Sequence, residues 1–202
     1  MKIETFPLLD QITNKHHTSE TGLCRHYLTL YSIVLGMEAK NVFEFGCGFS
    51  TLSMVKALEV TGGKLSSIDL RSLNERSDIP SFLATKELWT FHQGNSLDTF
   101  PKLNHNECYD VVLHDGSHTA SEVTIDLNNV APFVKTGGLV LVHDTAHYEL
   151  GEEMTRGVTE SNLIKEYDHE MVTLPFGYGL TLIKILSNPN NDEKINITWR
   201  KD

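Results

Sequence analysis

Cysteine, basic residues and long apolar runs are the scarce features of this sequence. Its three cysteines, Cys24, Cys47 and Cys108, are odd in number and irregular in spacing. That argues against a disulfide framework and against a zinc-ligand set, and it is expected of reduced thiols in a cytoplasmic protein. Lysine and arginine total 17 against 27 acidic residues, a formal net charge of −10. Duplex nucleic acid is bound by basic side chains that displace counterions, so neither nucleic acid nor an anionic membrane is an expected partner. No apolar run approaches the ~18 residues that a membrane span needs. Residues 1–5 (MKIET) lack the apolar core of a signal peptide. What is present is ordinary: 202 residues, 40% hydrophobic and 22% charged, the size and composition of one soluble domain.

The pattern alternates between strand and helix. Thr18, Ser19 and Glu20 offer N-cap chemistry for a helix running to about Leu35, with Gly36 to close it. Residues 41–45 (NVFEF) read as a strand before a glycine loop. Leu52, Val55 and Leu58 share a helix face that Gly62 and Gly63 end. Strands are expected at 64–69, 89–93, 109–114 and 139–142. Val111, Val112 and Leu113 form the continuous apolar run of a strand buried on both faces. Between 74 and 87 the pattern is weak, and Pro80 is placed to start a helix. Thr119 and Glu122 are spaced as a capping box. Ala120, Val123, Leu127, Val130 and Val134 continue as a helical stripe, which Gly137 and Gly138 would end. A helix over 152–167 is weakened by Gly157. Residues 170–175 and 180–185, around Phe176-Gly177-Tyr178-Gly179, read as an antiparallel hairpin.

Five β–α alternations predict an α/β, doubly wound, mostly parallel sheet, with right-handed crossovers placing helices on both faces. The terminal hairpin brings the expected count to seven strands. One domain is expected over 1–186, with a helical cap over about 1–37, and 187–202 as a polar tail. A ligand should then lie outside the carboxyl ends of the strands, near the switch point.

Those ends carry the chemistry. Gly46 and Gly48 let a loop turn tightly beside a ligand, but two glycines alone fit a nicotinamide site or a plain turn equally. The third glycine of a dinucleotide fingerprint is replaced by Thr51. Glu44 precedes the loop, where a carboxylate would repel a pyrophosphate and attract an ammonium. Asp69 ends the next strand, where an acid can accept from ribose hydroxyls. These features favour an amino-acid-bearing nucleoside.

The segment VFEFGCGFST (42–51) resembles motif I of class I methyltransferases, which bind S-adenosylmethionine (SAM). Ser67-Ile68-Asp69 is similar to their acidic second motif. Gly94-Asn95-Ser96 stands where that family approaches the adenine. YDVVLHDGSH (109–118) resembles motif IV, and GGLVLVHD (137–144) the strand that follows it. The resemblance spans about residues 20–185 and implies a Rossmann-like methyltransferase fold. It is nearest to a small-molecule branch with a D-G-x-H motif, akin to catechol and antibiotic-sugar O-methyltransferases. It implies cofactor contacts from Glu44, Gly46, Gly48, Ser50, Thr51, Asp69, Leu70, Asn95, Ser96 and Asp115.

In metal-dependent members of that branch, acids after the fourth and fifth strands bind Mg²⁺. Asp115 and Asp144 match those positions, while Thr145 stands where the catechol enzymes have asparagine. His118 or His143 would complete a different ligand set, with a different preferred metal. Asp115, His118 and Asp144 are the expected catalytic group around a small-molecule acceptor, with His118, or else His147, as the base. His16, His17 and His26 lie in the segment that often covers the substrate, though packing is the simpler role for each. The acceptor, the oligomeric state and the need for a metal stay open. So do three other outcomes: a non-catalytic SAM-binding protein, a nicotinamide oxidoreductase, and the hydroxylase chemistry of a related branch.

Overall fold

The computed structural model describes residues 10–12, 14–15, 22–76, 79, 83, 86–105 and 107–190. Its helices are α1 (Tyr27–Gly36), α2 (Phe49–Thr61), α3 (Ser96–Thr99), α4 (Ala120–Val130), α5 (Gly151–Glu160) and α6 (Asn162–Lys165). Its strands are β1 (Asn41–Phe45), β2 (Lys64–Asp69), β3 (Trp89–Gln93), β4 (Tyr109–His114), β5 (Val134–His143), β6 (Asp168–Leu174) and β7 (Leu180–Ser187). They form one sheet in the order β3-β2-β1-β4-β5-β7-β6. The first five strands are parallel, and β7 and β6 are antiparallel. The strand order reverses between β1 and β4, and that gap is the switch point.

Side-chain alternation divides the core between the two sheet faces. Val42, Leu65, Val111 and Leu113 pack with Leu30, Val34, Leu52, Val55 and Leu58 from α1 and α2. Phe43, Phe45, Val112 and Val140 pack with Val123 and Leu127 of α4 and Met154 and Val158 of α5. The run from Val111 to His114 is fully buried, as its continuous apolar pattern predicts. No helix among the described residues is long and apolar enough to cross a membrane.

Several local expectations change. The stripe assigned to α4 stops at Val130. A 3₁₀ turn at Ala131–Phe133 carries Pro132, and Val134 already belongs to β5. Gly137 and Gly138 therefore lie within that ten-residue strand rather than ending a helix. The capping box at Thr119 does not form. The Thr119 hydroxyl donates to the Glu122 carboxylate, and the amide of Ala120 donates to Glu153 on α5 instead. The helix expected over 152–167 is broken at extended Ser161 into α5 and α6. Gly157 sits within α5 because a Cβ there would come within 2.6 Å of Val123, so the glycine lets α5 approach α4 closely. β7 extends through Ser187, and buried Asn188 donates to the carbonyls of Ala131 and Val134, so the sheet continues past the expected domain end. The caps proposed at Thr18 to Glu20, His16, His17, the helix start at Pro80 and the tail from 191 lie outside the described residues.

Candidate active site

A cavity of about 690 Å³ opens at the carboxyl ends of the parallel strands. That volume is within the range of small-ligand sites. Gly46, Asp69, Ser96, Asp115, His118 and Asp144 lie on its wall. The strand-end rule thus gathers residues from five separate segments at one place.

Gly46 has a φ of +78°, and a Cβ on it would strike the carbonyl oxygen of Asp115. The loops after β1 and β4 meet there, fixed by Asp115 N–H donating to the Phe45 carbonyl at 2.9 Å. Glu44 departs from expectation. It has no exposed surface and does not face the cavity. Its carboxyl group accepts from Ser50 (2.6 Å), Thr51 (2.7 Å) and Ser67 (2.8 Å) beneath the loop. Burial pushes its pKa up to about 7 against the pull of those three hydroxyls. Ser50 and Thr51 are likewise buried and off the cavity wall, as is Gly48, whose amide donates to Thr51 Oγ1. Glu44, Gly48, Ser50 and Thr51 thus brace the loop from behind. Asp115 is the acid on the wall beside it.

Asp69 lies at the end of β2 as expected. Its Oδ2 accepts from the Cys47 amide (3.1 Å) and from Arg76 Nη1 (2.5 Å), and its Oδ1 from the Arg71 amide (2.8 Å). One acceptor position on Oδ1 remains for a hydroxyl. Leu70 and Asn95 flank it on the cavity wall. Asn95 also caps α3, its side-chain oxygen accepting from Leu97 N–H.

Two acids and two imidazoles cluster after β4 and β5. His143 Nδ1 lies 3.0 Å from Asp115 Oδ1 and 3.2 Å from Asp144 Oδ1, and its Nε2 lies 2.9 Å from the Gly177 carbonyl. A carbonyl can only accept, and so can a carboxylate, so both ring nitrogens carry protons and the ring is cationic. Burial pulls the pKa of His143 down, and the bonds to Asp115 and Asp144 more than reverse this, pushing it up to about 10. His118 Nε2 lies 2.9 Å from Asp144 Oδ2. That bond raises the pKa of His118, against its partial burial. Asp144 is held well below the ordinary carboxylate range: burial opposes its ionisation, but His118 and His143 outweigh it. Asp144 also has a φ of +61°, a strained backbone for a non-glycine residue, and the strain falls at the group that joins both histidines.

One oxygen or nitrogen from each of Asp115, His118 and Asp144 lies within 4.8 Å of the others. Two of these donors are carboxylates, the oxygen ligands that Mg²⁺ takes, and the third is an imidazole nitrogen, so the cluster as a whole is a mixed nitrogen–oxygen set. The third position is not an amide but Thr145, whose hydroxyl accepts from Thr181 at 2.8 Å. The cation already set against Asp115 and Asp144 is an imidazolium.

The hairpin loop closes this end. Tyr178 lines the cavity, and His26 Nε2 donates to the Phe176 carbonyl at 2.9 Å, so His26 is a packing residue. Arg76 and Tyr178 had no sequence signal that singled them out. His143 had one, in its pairing with Asp144.

The family described as "Methyltransferase domain" matches residues 43–145, just over half of the chain. No curated protein matches. Solved structures share the fold at low identity. The O-methyltransferase TomG from Streptomyces achromogenes, in complex with SAM, has a TM-score of 0.66 and 17% identity, over 90% of each chain. The SAH-bound methyltransferase PaMTH1 from Podospora anserina has a TM-score of 0.67 and 12% identity, over 88% of this chain and 87% of that one. The O-methyltransferase from Bacillus cereus, in complex with SAH, has a TM-score of 0.65 and 14% identity, over 88% of each chain. The glycine loop, the acid ending β2 and the terminal hairpin thus sit in a fold shared with these enzymes, and the chain belongs to the methyltransferase-domain family.

Proposed function

We propose that the protein is a SAM-dependent O-methyltransferase acting on a hydroxyl of a small molecule, with His118 as general base. The observation that carries this reading is the bond between His118 Nε2 and Asp144 at 2.9 Å on the cavity wall. A neutral His118 donates Nε2–H to Asp144, which leaves Nδ1 as the basic nitrogen. Asp144 fixes the tautomer and supports the imidazolium formed when Nδ1 takes the acceptor's proton. The side chain of His118 keeps 38% of its exposure, so an entering acceptor can reach it.

When bound, SAM would supply a sulfonium methyl open to in-line attack by the acceptor oxygen, the C–S bond breaking with the neutral thioether as leaving group. The residues suited to hold it are Gly46, Asp69, Leu70, Asn95, Ser96 and Asp115. Asp69 would accept from the ribose through Oδ1, and Asp115 would face the ammonium in place of Glu44. His143 keeps the two acids from repelling one another. Because the donor is already activated, most of the acceleration comes from orientation.

The test is turnover of a panel of hydroxylated small molecules, read as release of S-adenosylhomocysteine (SAH). Loss of that turnover in His118→Asn with SAH affinity intact supports the reading, and wild-type-like turnover refutes the base assignment. A second reading is favoured by the convergence of Asp115, His118 and Asp144: a mixed nitrogen–oxygen site for a borderline divalent cation. A neutral His118 has one basic nitrogen, and giving it to an ion leaves none for the acceptor's proton, so the two readings exclude each other.

A further inference from the structure

Ser96 opens α3 and lines the cavity. Its hydroxyl donates to Oδ2 of Asp126 on α4, at 3.0 Å. The same oxygen lies 3.1 Å from Nε2 of His114, the last residue of β4. Neither Asp126 nor His114 has any exposed surface. Asp126 Oδ1 and His114 Nδ1 have no hydrogen-bond partner among the described residues. Buried orphan atoms are costly, and Asp126 is set in a helix whose other buried positions include Ala120, Val123, Leu127 and Val130. An apolar residue at 126 would suit that core better. What the carboxylate supplies is a fixed direction for the Ser96 proton.

We propose that Asp126, acting through Ser96, selects the base of the bound nucleoside. A serine hydroxyl has one proton and two lone pairs. With its proton held by Asp126, Ser96 offers the cavity only lone pairs. A ring with an exocyclic amino group donates to it; a ring with a carbonyl at that position sets lone pair against lone pair. Asp126 is thus a positioning residue, and the pair makes the site prefer adenine over hypoxanthine. The inference rests on the SAM reading, with the base lying beside Gly94, Asn95 and Ser96.

The experiment is calorimetric titration with SAH and with S-inosylhomocysteine, which carries the carbonyl. The wild-type protein is expected to bind SAH at least tenfold more tightly. Ser96→Ala and Asp126→Leu should each reduce that preference by roughly tenfold. Asp126→Asn, which keeps an oxygen at the Oδ2 position, should retain it to within about twofold. A purely structural Asp126 would leave the preference untouched in every folded variant. If Asp126→Leu does not fold, Ser96→Ala decides alone, since the substitution is at the edge of a one-turn helix. A wild-type preference near one, or a preference unchanged in Ser96→Ala, overturns the proposal while SAH binding leaves the SAM reading standing. No binding of either compound overturns both.

Discussion

Nδ1 of His143 lies 3.0 Å from Oδ1 of Asp115, and the ring's other nitrogen is spent on the Gly177 carbonyl. This pair makes the acidic end of the cavity tolerable. Two carboxylates, Asp115 and Asp144, share the positive charge of the one His143 ring. His143→Asn removes that charge and leaves two acids close together. Thermal unfolding should show a loss on the order of 3 kcal/mol, and turnover should fall while the protein still folds. The sign with pH follows from the raised pKa. The ring's contribution is complete below its ordinary value of 6.5 and is lost as pH rises through about 10. The variant should therefore lack the alkaline decline of the wild-type protein. An identical decline would contradict the assignment.

His118 must be neutral to act as a base. Its pKa is raised above 6.5, chiefly by Asp144, so turnover should rise with pH through a midpoint above 6.5. Asp144→Asn should move that limb to lower pH as well as lower its plateau. His118→Asn should reduce kcat by roughly 10²–10⁴-fold with little change in SAH affinity. A pH–rate profile of the three proteins checks all of this, and an unmoved limb in Asp144→Asn would count against the dyad.

Chelation separates the two readings of the same residues. Turnover should survive exhaustive treatment with EDTA, because the base mechanism needs no ion. Activity that disappears with EDTA and returns with Mn²⁺ would establish the cation site instead.

Glu44 should mark stability with pH. Its folded pKa is about 7 and its ordinary value is 4.5, so the fold favours the protonated form. The wild-type protein should lose stability as pH rises from about 4.5 to 7, by an amount on the order of 3 kcal/mol, and level off above. Glu44→Gln should remove that slope. Denaturant titrations at pH 5 and pH 7.5 give the comparison.

Gly46→Ala places a side chain at a φ of +78° and against the Asp115 carbonyl. The two loops must then separate. SAH affinity should fall by more than tenfold, and stability by about 1–3 kcal/mol. Unchanged affinity would mean that the loop junction does not form the ligand's floor.

The sheet was legible because burial on both faces leaves continuous apolar runs, as in Val111 to Leu113, and because Gly46 and the terminal hairpin punctuate it. Local stops were less legible. Gly137 looked like a helix end, yet Pro132 had already imposed one and β5 ran through the glycine. Asp69, Asp115 and Asp144 were placed by a general rule about strand ends, and they line the cavity. Glu44 was misplaced for a geometric reason. In β1, Phe43 and Phe45 point to one face and Val42 and Glu44 to the other, where α2 supplies Ser50 and Thr51. Strand parity, rather than closeness to the loop, decided its direction. Arg76 reaches Asp69 from the irregular segment just after β2, and Asp126 reaches Ser96 from a helix thirty residues on; neither pairing gives a local signal.

The account rests on the nucleoside that fills the cavity beside Gly46, Asp69 and Asp115. Calorimetric titration of the wild-type protein with SAM, SAH and NAD tests this most directly. Saturable binding of SAM and SAH at one site per chain, with no binding of NAD, is the predicted result. Binding of NAD in preference to both, or no heat with SAM or SAH, would contradict it.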